Sequence, residues 1–369
     1  MGMLAEQADH VIGVDTHRDS HAAAAVAART GAVDATTTIP ADAFGYKRLL
    51  RFGRKHAPGT RVWAIESSGS FGAGLTTFLL AQGEWVVEVD RPKRPARRNG
   101  AKSDELDAIR AAREALERDH LAQPRARGDR EAVRVLLITR RGAIRARTKA
   151  INHLKALVVT AREELRHQLR NTPTDELVYR CARLRTLPSH SAEHRATVLA
   201  LRHTARRILA LEAEANDLES EIERLVQQIV PALLAEIGVG PISAAQLYCS
   251  WSHRGRLRDD GAFAMLGGSA PIPASSGQTI RYRLNRAGDR QLNCALHTIV
   301  LTRLQHDPAT RAYAARRIAE GKTPREIKRC LKRYLARRLF RILEATGPHP
   351  ITHPITPRPA RIRTIGPCS

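Results

Sequence analysis

Aromatic side chains are scarce in this chain: Phe, Trp and Tyr make up 4% of its 369 residues. That is too few for a single-strand nucleic-acid binder built on stacked bases. Cysteine is sparse as well. Cys181, Cys249, Cys294, Cys330 and Cys368 are far apart, odd in number and never in a CxxC pair, which argues against a zinc site or a disulfide framework and for a reduced, cytoplasmic setting. No apolar run approaches the roughly 18 residues a membrane span needs. The first ten residues lack a basic region followed by an apolar stretch, so no secretory signal is expected. Acid is also in deficit: 37 Asp and Glu stand against 61 Lys and Arg, a formal net charge of +24. A chain this basic is expected to hold nucleic acid first, with an anionic membrane surface as the second option.

What is present is enough apolar material, 43%, for two or three domains. The first ~120 residues read as α/β. His10–Val14 is a short apolar strand ending at Asp15, and the segments 21–28 and 33–39 complete a three-strand meander. A basic amphipathic helix over about 43–56 follows. A strand over 61–65 ends at Glu66, a helix covers 70–81, and another strand covers 85–89. After a basic loop at 91–102, Ser103 is placed to cap a helix that carries Asp104 and Asp107. Three strands and then a strand–helix–strand–helix series predict a mixed sheet with helices on its faces, whose function collects at strand ends.

Beyond Pro124 and Gly128 the pattern turns helical. Leu137, Ile144, Ile151 and Val158 recur every seven residues, and Ile208, Leu211, Ala215, Leu218, Ile222, Leu225 and Ile229 alternate three and four apart, a coiled-coil seam. The seams fit either a hairpin or dimerisation arm, or the core of a helical bundle within one chain. From Pro231 a third region begins, in which Ile237-Gly-Val-Gly-Pro-Ile-Ser resembles a helix–hairpin–helix turn. Asp289 is placed to cap a helix over about 290–305, and two Arg- and Lys-rich helices follow over 308–320 and 324–345. Six prolines after residue 345 mark a basic tail expected to be disordered. The expected division is 1–125, 126–230, 231–345 and 346–369.

Four carboxylates stand at strand and helix ends: Asp15 in Gly-Val-Asp, Glu66 in Ile-Glu-Ser-Ser-Gly, and Asp104 and Asp107 in Lys-Ser-Asp-Glu-Leu-Asp-Ala. Asp104 and Asp107 lie three apart and share one helical face. Clustered acids raise one another's pKa and a metal resolves the conflict; Mg²⁺ or Mn²⁺ with carboxylates, water and phosphate oxygens is a phosphoryl-transfer site. Any one of these acids alone would more readily be a helix-start or turn residue. His17 and His21 near Asp15 fit general bases, though turn and strand roles are commoner. In Pro273-Ala-Ser-Ser-Gly277 a serine hydroxyl beside arginines 281, 283 and 286 can face bound phosphate, yet such a tripeptide by itself reads as a loop.

Taken in order, Gly-Val-Asp15, Glu66-Ser-Ser-Gly, Lys102-Ser-Asp104-Glu-Leu-Asp107-Ala, Val239-Gly-Pro-Ile-Ser, Pro273-Ala-Ser-Ser-Gly-Gln-Thr-Ile-Arg and Asn285-Arg-Ala-Gly-Asp-Arg-Gln-Leu resemble the DEDD transposases of bacterial insertion sequences. These are relatives of the Piv/MooV DNA invertases with a RuvC-like (RNase H-like) N-terminal domain. The resemblance spans roughly 10–345. It implies Mg²⁺ (or Mn²⁺) held by Asp15, Glu66, Asp104 and Asp107. It also implies a serine nucleophile, Ser276 or alternatively Ser275, that becomes joined to DNA. Further implied are donor and target double-stranded DNA, a structured guide (bridge) RNA, and a homodimer or tetramer in which metal site and serine meet across subunits. Asp90 stands where relatives often carry a neutral residue; it could join the metal or pair with Arg91 or Arg94. Two other readings remain: a junction-type nuclease using only the acids and water, and a binding protein without catalysis.

Overall fold

The computed structural model describes residues 4–89, 103–118, 121–274, 282–285 and 288–347. Asp90, Ser275, Ser276, arginines 281 and 286, and the Pro-rich tail therefore lie outside the described residues. The chain divides into two compact units, the first ending at Ala126 and the second beginning at Arg127.

In the first unit a short helix, α1 (Leu4–Gln7), leads into β1 (His10–Thr16), β2 (Ser20–Ala27) and β3 (Val33–Pro40). Then come α2 (Ala43–His56), β4 (Arg61–Glu66), α3 (Ala73–Ala81), β5 (Trp85–Val89) and α4 (Asp104–Leu116). The strands form one sheet in the order β3-β2-β1-β4-β5. β1–β2 and β2–β3 are antiparallel, while β1–β4 and β4–β5 are parallel. This is the mixed sheet that the meander and the strand–helix–strand series predict. The central strands read as nearly unbroken apolar runs because both faces are covered. Val11, Ala22, Ala24, Val62, Ala64 and Val87 pack with α4, whereas Ile12, Val14, Ala23, Ala25, Trp63 and Ile65 pack with α2 and α3. The buried Trp63 indole donates to Glu84 (2.9 Å), which also takes a two-point bond from Arg61, so the turn into β5 is tied to β4.

One contact fixes where α4 lies. Gly13, in the middle of β1, has no side chain, and a Cβ there would sit 2.0 Å from the Ala108 carbonyl oxygen and 2.5 Å from the Ala112 nitrogen. Opposite it α4 presents Ala108, Ala111, Ala112 and Ala115, all fully buried. Small residues on both sides bring helix and strand backbones together, and the helix is seated more closely than larger side chains would permit.

The second unit is mainly helical. It contains α5 (Asp129–Thr160), α6 (Glu163–Leu169), α7 (Thr174–Ala182), α8 (Ala192–Ile229), α9 (Pro231–Leu234), α10 (Pro241–Trp251) and α11 (Asp260–Leu266). A small hairpin of β6 (Pro271–Pro273) and β7 (Tyr282–Leu284) follows, then α12 (Arg290–His306), α13 (Pro308–Ala319) and α14 (Pro324–Thr346). The long helices α5 and α8 pack antiparallel, with Arg140 on Glu219 and Arg147 on Glu212. The heptad seam expected on α5 is corrected in its middle. Ile144 is exposed and Ile151 only partly covered, while Ala143 and Ala150 are buried, as are Leu137, Leu154 and Val158. Opposite, Ala215 is buried between Ile208 and Ile222, so small residues line the middle of the pair and the isoleucines fall to its flank. A core of α5, α8, α10, α11, α12 and α14 residues surrounds Trp251 and Phe263. The glycine turn before α10 rests on α12: Gly238 has φ +80° and Arg303 donates to the Ile237 carbonyl. Asp289 caps α12 through the amides of Gln291 and Leu292. Among the described residues no helix is long and apolar enough to cross a membrane.

Candidate metal centre

The acids gather at one end of the first unit's sheet because of three local features. Strand β1 runs one residue past Asp15, and strand alternation puts Val11, Gly13 and Asp15 on the face covered by α4. Glu66 is the last residue of the neighbouring parallel strand. Its backbone carbonyl accepts from the Thr16 hydroxyl at 3.0 Å, and the alternation Val62, Ala64, Glu66 assigns it to the same face. Ser67 follows with φ 55°, in the left-handed region, and its carbonyl closes the turn with the amides of Ser70 and Gly72. A non-glycine residue there costs on the order of 1 kcal/mol, and the chain turns sharply off the strand at Glu66.

Helix α4 supplies the other two. Ser103 caps it by accepting from the Leu106 amide, and its first turn carries Asp104, Glu105 and Asp107, all favoured by the helix dipole. Asp104 and Asp107 continue, one turn earlier, the stripe of alanines that sits on β1. The Gly13 contact therefore sets these carboxylates beside Asp15.

At the centre is His17. Its Nε2 lies 3.1 Å from Asp15 Oδ2 and 3.3 Å from Asp104 Oδ1, and one donor atom from each of the three residues falls within 4.8 Å of the others. Asp15 is buried, whereas Asp104 is exposed. Burial pushes the Asp15 carboxyl above its ordinary range; His17 opposes the shift, and Asp107 and Asp104 add to it. Asp107 also bonds Arg110 at 2.6 Å. A buried carboxylate raised by two acidic neighbours, beside an imidazole nitrogen, is a donor set suited to a divalent cation. The residues present fit a metal of that kind.

His21 stands apart from this cluster. It pairs across the sheet with Thr16, on the opposite face from Asp15, where its ring stacks on Tyr46 and its Nδ1 lies 2.9 Å from the Ser20 carbonyl. It is fully buried, and that burial lowers its pKa. The structure thus gives His21 a packing position and His17 a place among the acids. Two positioning features escape a reading by residue chemistry, Gly13 and the α4 alanines. A glycine inside an apolar strand, and alanines at helical spacing behind an acid pair, are the signals that point to them.

On the other face of the same unit, a shallow cavity of about 360 Å³ lies between β3 and α2. It is lined by Thr37, Ile39, Arg48, Arg51, Phe52, Lys55 and His56. Three cations on one helix face provide a surface for a polyanion.

Comparison with known proteins agrees with an acid-site enzyme acting on DNA. Residues 12–162 match the transposase model for DEDD enzymes of the IS110 type, and residues 231–315 match the Transposase IS116/IS110/IS902 family. The first match contains all four carboxylates and the second contains the serine-bearing segment. The chain belongs to the IS110 family of DEDD transposases. It is also similar to the insertion element IS900 uncharacterized 42 kDa protein of Mycobacterium paratuberculosis, at 27% identity over 350 residues, covering 81% of this chain and 86% of that protein.

Proposed function

We propose that this transposase cuts and rejoins donor and target DNA through a covalent phosphoserine link, with Asp15, Glu66, Asp104 and Asp107 as the ligands of divalent metal and Ser276 as the nucleophile. The observation that carries the metal half is the meeting of the β1 and α4 acids at one sheet end, with Asp15 buried among them. The order β3-β2-β1-β4-β5, with acids at the ends of β1 and β4, supports a RuvC-like reading of residues 1–125. Residues 126–230 would then serve assembly into a dimer or tetramer, 231–345 would carry the serine, and 346–369 would form a basic tail.

A divalent metal bound by these acids supplies charge stabilisation for the reacting phosphate. The chain's own residues do the rest. The Ser276 oxygen attacks phosphorus, its proton leaves to a base or solvent, and the P–O bond to one deoxyribose oxygen breaks. That oxygen takes up a proton from an acid or solvent and departs as the hydroxyl end of the strand. One phosphoester replaces another, so reversal by a new DNA hydroxyl needs no nucleoside triphosphate. Asp107 is held by Arg110, and Asp15 is held in the sheet, so the ligands are positioned before substrate arrives. A chain of net charge +24, with the Arg48, Arg51 and Lys55 surface, suits a load of guide RNA as well as DNA. Base pairing by that RNA would choose sequence while the protein holds backbone.

Denaturing-gel trapping of end-labelled donor DNA on the full-length protein tests this reading. A covalent adduct is expected with Mg²⁺ or Mn²⁺, and it is lost in Ser276→Ala and in Asp15→Asn. Cleavage that persists in Ser276→Ala without any adduct points instead to water as the nucleophile and to a junction-type nuclease.

A further inference from the structure

We infer that His17 is itself a metal ligand, through Nε2, alongside Asp15 and Asp104, so that this position of the acidic site takes a nitrogen-accepting first-row ion such as Mn²⁺ in preference to Mg²⁺. The inference rests on the metal-site reading above and concerns a residue outside the four carboxylates.

The geometry is specific. Nε2 lies 3.1 Å from one carboxylate oxygen and 3.3 Å from a second on a different element, 87 positions further along the chain than His17. Neighbouring donors around an octahedral ion with bonds of about 2.1 Å are about 3 Å apart; the two Nε2–oxygen distances match that spacing, and all three donor atoms lie within 4.8 Å of one another. One ring N–H can bond well to only one of the two oxygens, here Asp15 Oδ2, and at best weakly to both, while a bare ring lone pair facing two carboxylates is repulsive. An ion shared by all three satisfies every donor. The backbone favours the arrangement: β1 ends at Thr16, and His17, in the turn to β2, has its amide fixed to the Ser20 carbonyl at 3.0 Å. His17 therefore projects from a closed turn beside the start of α4.

The choice of metal follows from the donors. Mg²⁺ prefers oxygen and keeps its waters, whereas imidazole suits transition ions, and carboxylates accept Mn²⁺ as readily as Mg²⁺. One imidazole among carboxylates shifts the site toward Mn²⁺ without excluding Mg²⁺.

The competing arrangement is an ion pair in which a protonated His17 holds the two acids apart from any metal. The two differ in sign. As a ligand, His17 strengthens metal binding; as a competing cation, it weakens it.

The experiment uses full-length protein, Mn²⁺ alone as the paramagnetic probe, and Mg²⁺ as its competitor. Pulsed electron paramagnetic resonance on the Mn²⁺ complex is expected to show coupling to an imidazole ¹⁴N in the wild type and none in His17→Ala. Mn²⁺ affinity should fall at least about tenfold in His17→Ala, since loss of even an outer partner of a metal ligand costs that much. Mg²⁺ affinity should change less, so the preference for Mn²⁺ narrows. Absence of ¹⁴N coupling in the wild type, its persistence in His17→Ala, or equal or tighter Mn²⁺ binding in His17→Ala overturns the inference while leaving the carboxylate site intact. Mn²⁺ binding that is absent in the wild type, or unchanged in Asp15→Asn, overturns the metal-site reading itself.

Discussion

Asp15 carries the strain of the site. Its carboxylate is buried at a strand end with two further acids near it, so in the metal-free protein desolvation and repulsion oppose its ionisation and His17 favours it. Its pKa in the folded state is raised above the unfolded value. The protonated form therefore lends stability below the ordinary carboxylate range, and that contribution is lost as pH rises through the folded value. In EDTA at pH 7, Asp15→Asn is expected to melt higher than the wild type by on the order of a degree or more, and the gap should close toward pH 4. Added Mn²⁺ should stabilise the wild type and leave Asp15→Asn nearly unmoved; differential scanning calorimetry at the two pH values reads both effects. His17 and His21 show how much position decides. They lie four residues apart, but one faces the acids and the other is packed under Tyr46.

Helix α4 is the element on which the site depends. Its capped start carries Asp104 and Asp107, and its alanine face lies on Gly13. Gly13→Ala changes none of the four carboxylates but moves the helix that carries Asp104 and Asp107, because the new methyl would meet the Ala108 carbonyl and the Ala112 backbone. Urea unfolding should show a loss of about 1–3 kcal/mol, the usual range for overpacking. A Mn²⁺ titration should show weaker binding although no ligand has changed. Unaltered metal affinity in a folded Gly13→Ala would mean that the close seating of α4 does not govern the site. The same reasoning shows what was legible in the sequence. Strand ends at Asp15 and Glu66 and the Ser103 cap follow from local pattern, so the mixed sheet and the positions of the acids on their elements are readable. The approach of His17 to Asp104 is not, because it is created by the packing of α4 across β1 and leaves no local trace. The α5 seam fails for a related reason. A heptad of large residues through Ile144 competes with a neighbouring stripe through Ala143 and Ala150, and close packing against Ala215 selects the smaller set. The choice of Ser276 rests on family resemblance alone, since Ser-Ser-Gly has no periodicity of its own.

For the molecule as a whole, the balance of charge governs encounter with nucleic acid. A net charge of +24 distributed over exposed arginines and lysines predicts binding that weakens steeply with salt. An interface neutralising 6–10 phosphates loses roughly 10³–10⁵ in affinity between 50 and 200 mM salt. Replacing Arg48, Arg51 and Lys55 together by Gln should lower the slope of log K against log salt by up to about 2.7 if all three meet duplex phosphates. An unchanged slope in a fluorescence-anisotropy titration assigns that surface to something other than duplex DNA. The acids act against this field: on the proposed reading, an acidic site inside a basic protein would bring DNA phosphate toward charges that repel it, and a divalent metal would remove the conflict. On that reading binding draws on the cations and reaction on the carboxylates. Single variants should separate the two, with Asp15→Asn binding DNA at least as well as the wild type and failing to cut it.

The decisive measurement is covalent capture of ³²P-labelled donor DNA by the full-length protein, resolved under denaturing conditions and digested to locate the modified residue. An adduct is expected that requires divalent metal, maps to the peptide containing Ser276, survives in Ser275→Ala, and disappears in Ser276→Ala and Asp15→Asn. An adduct of equal yield in Ser276→Ala, or one that forms undiminished in EDTA, would contradict the joint action of acidic site and serine.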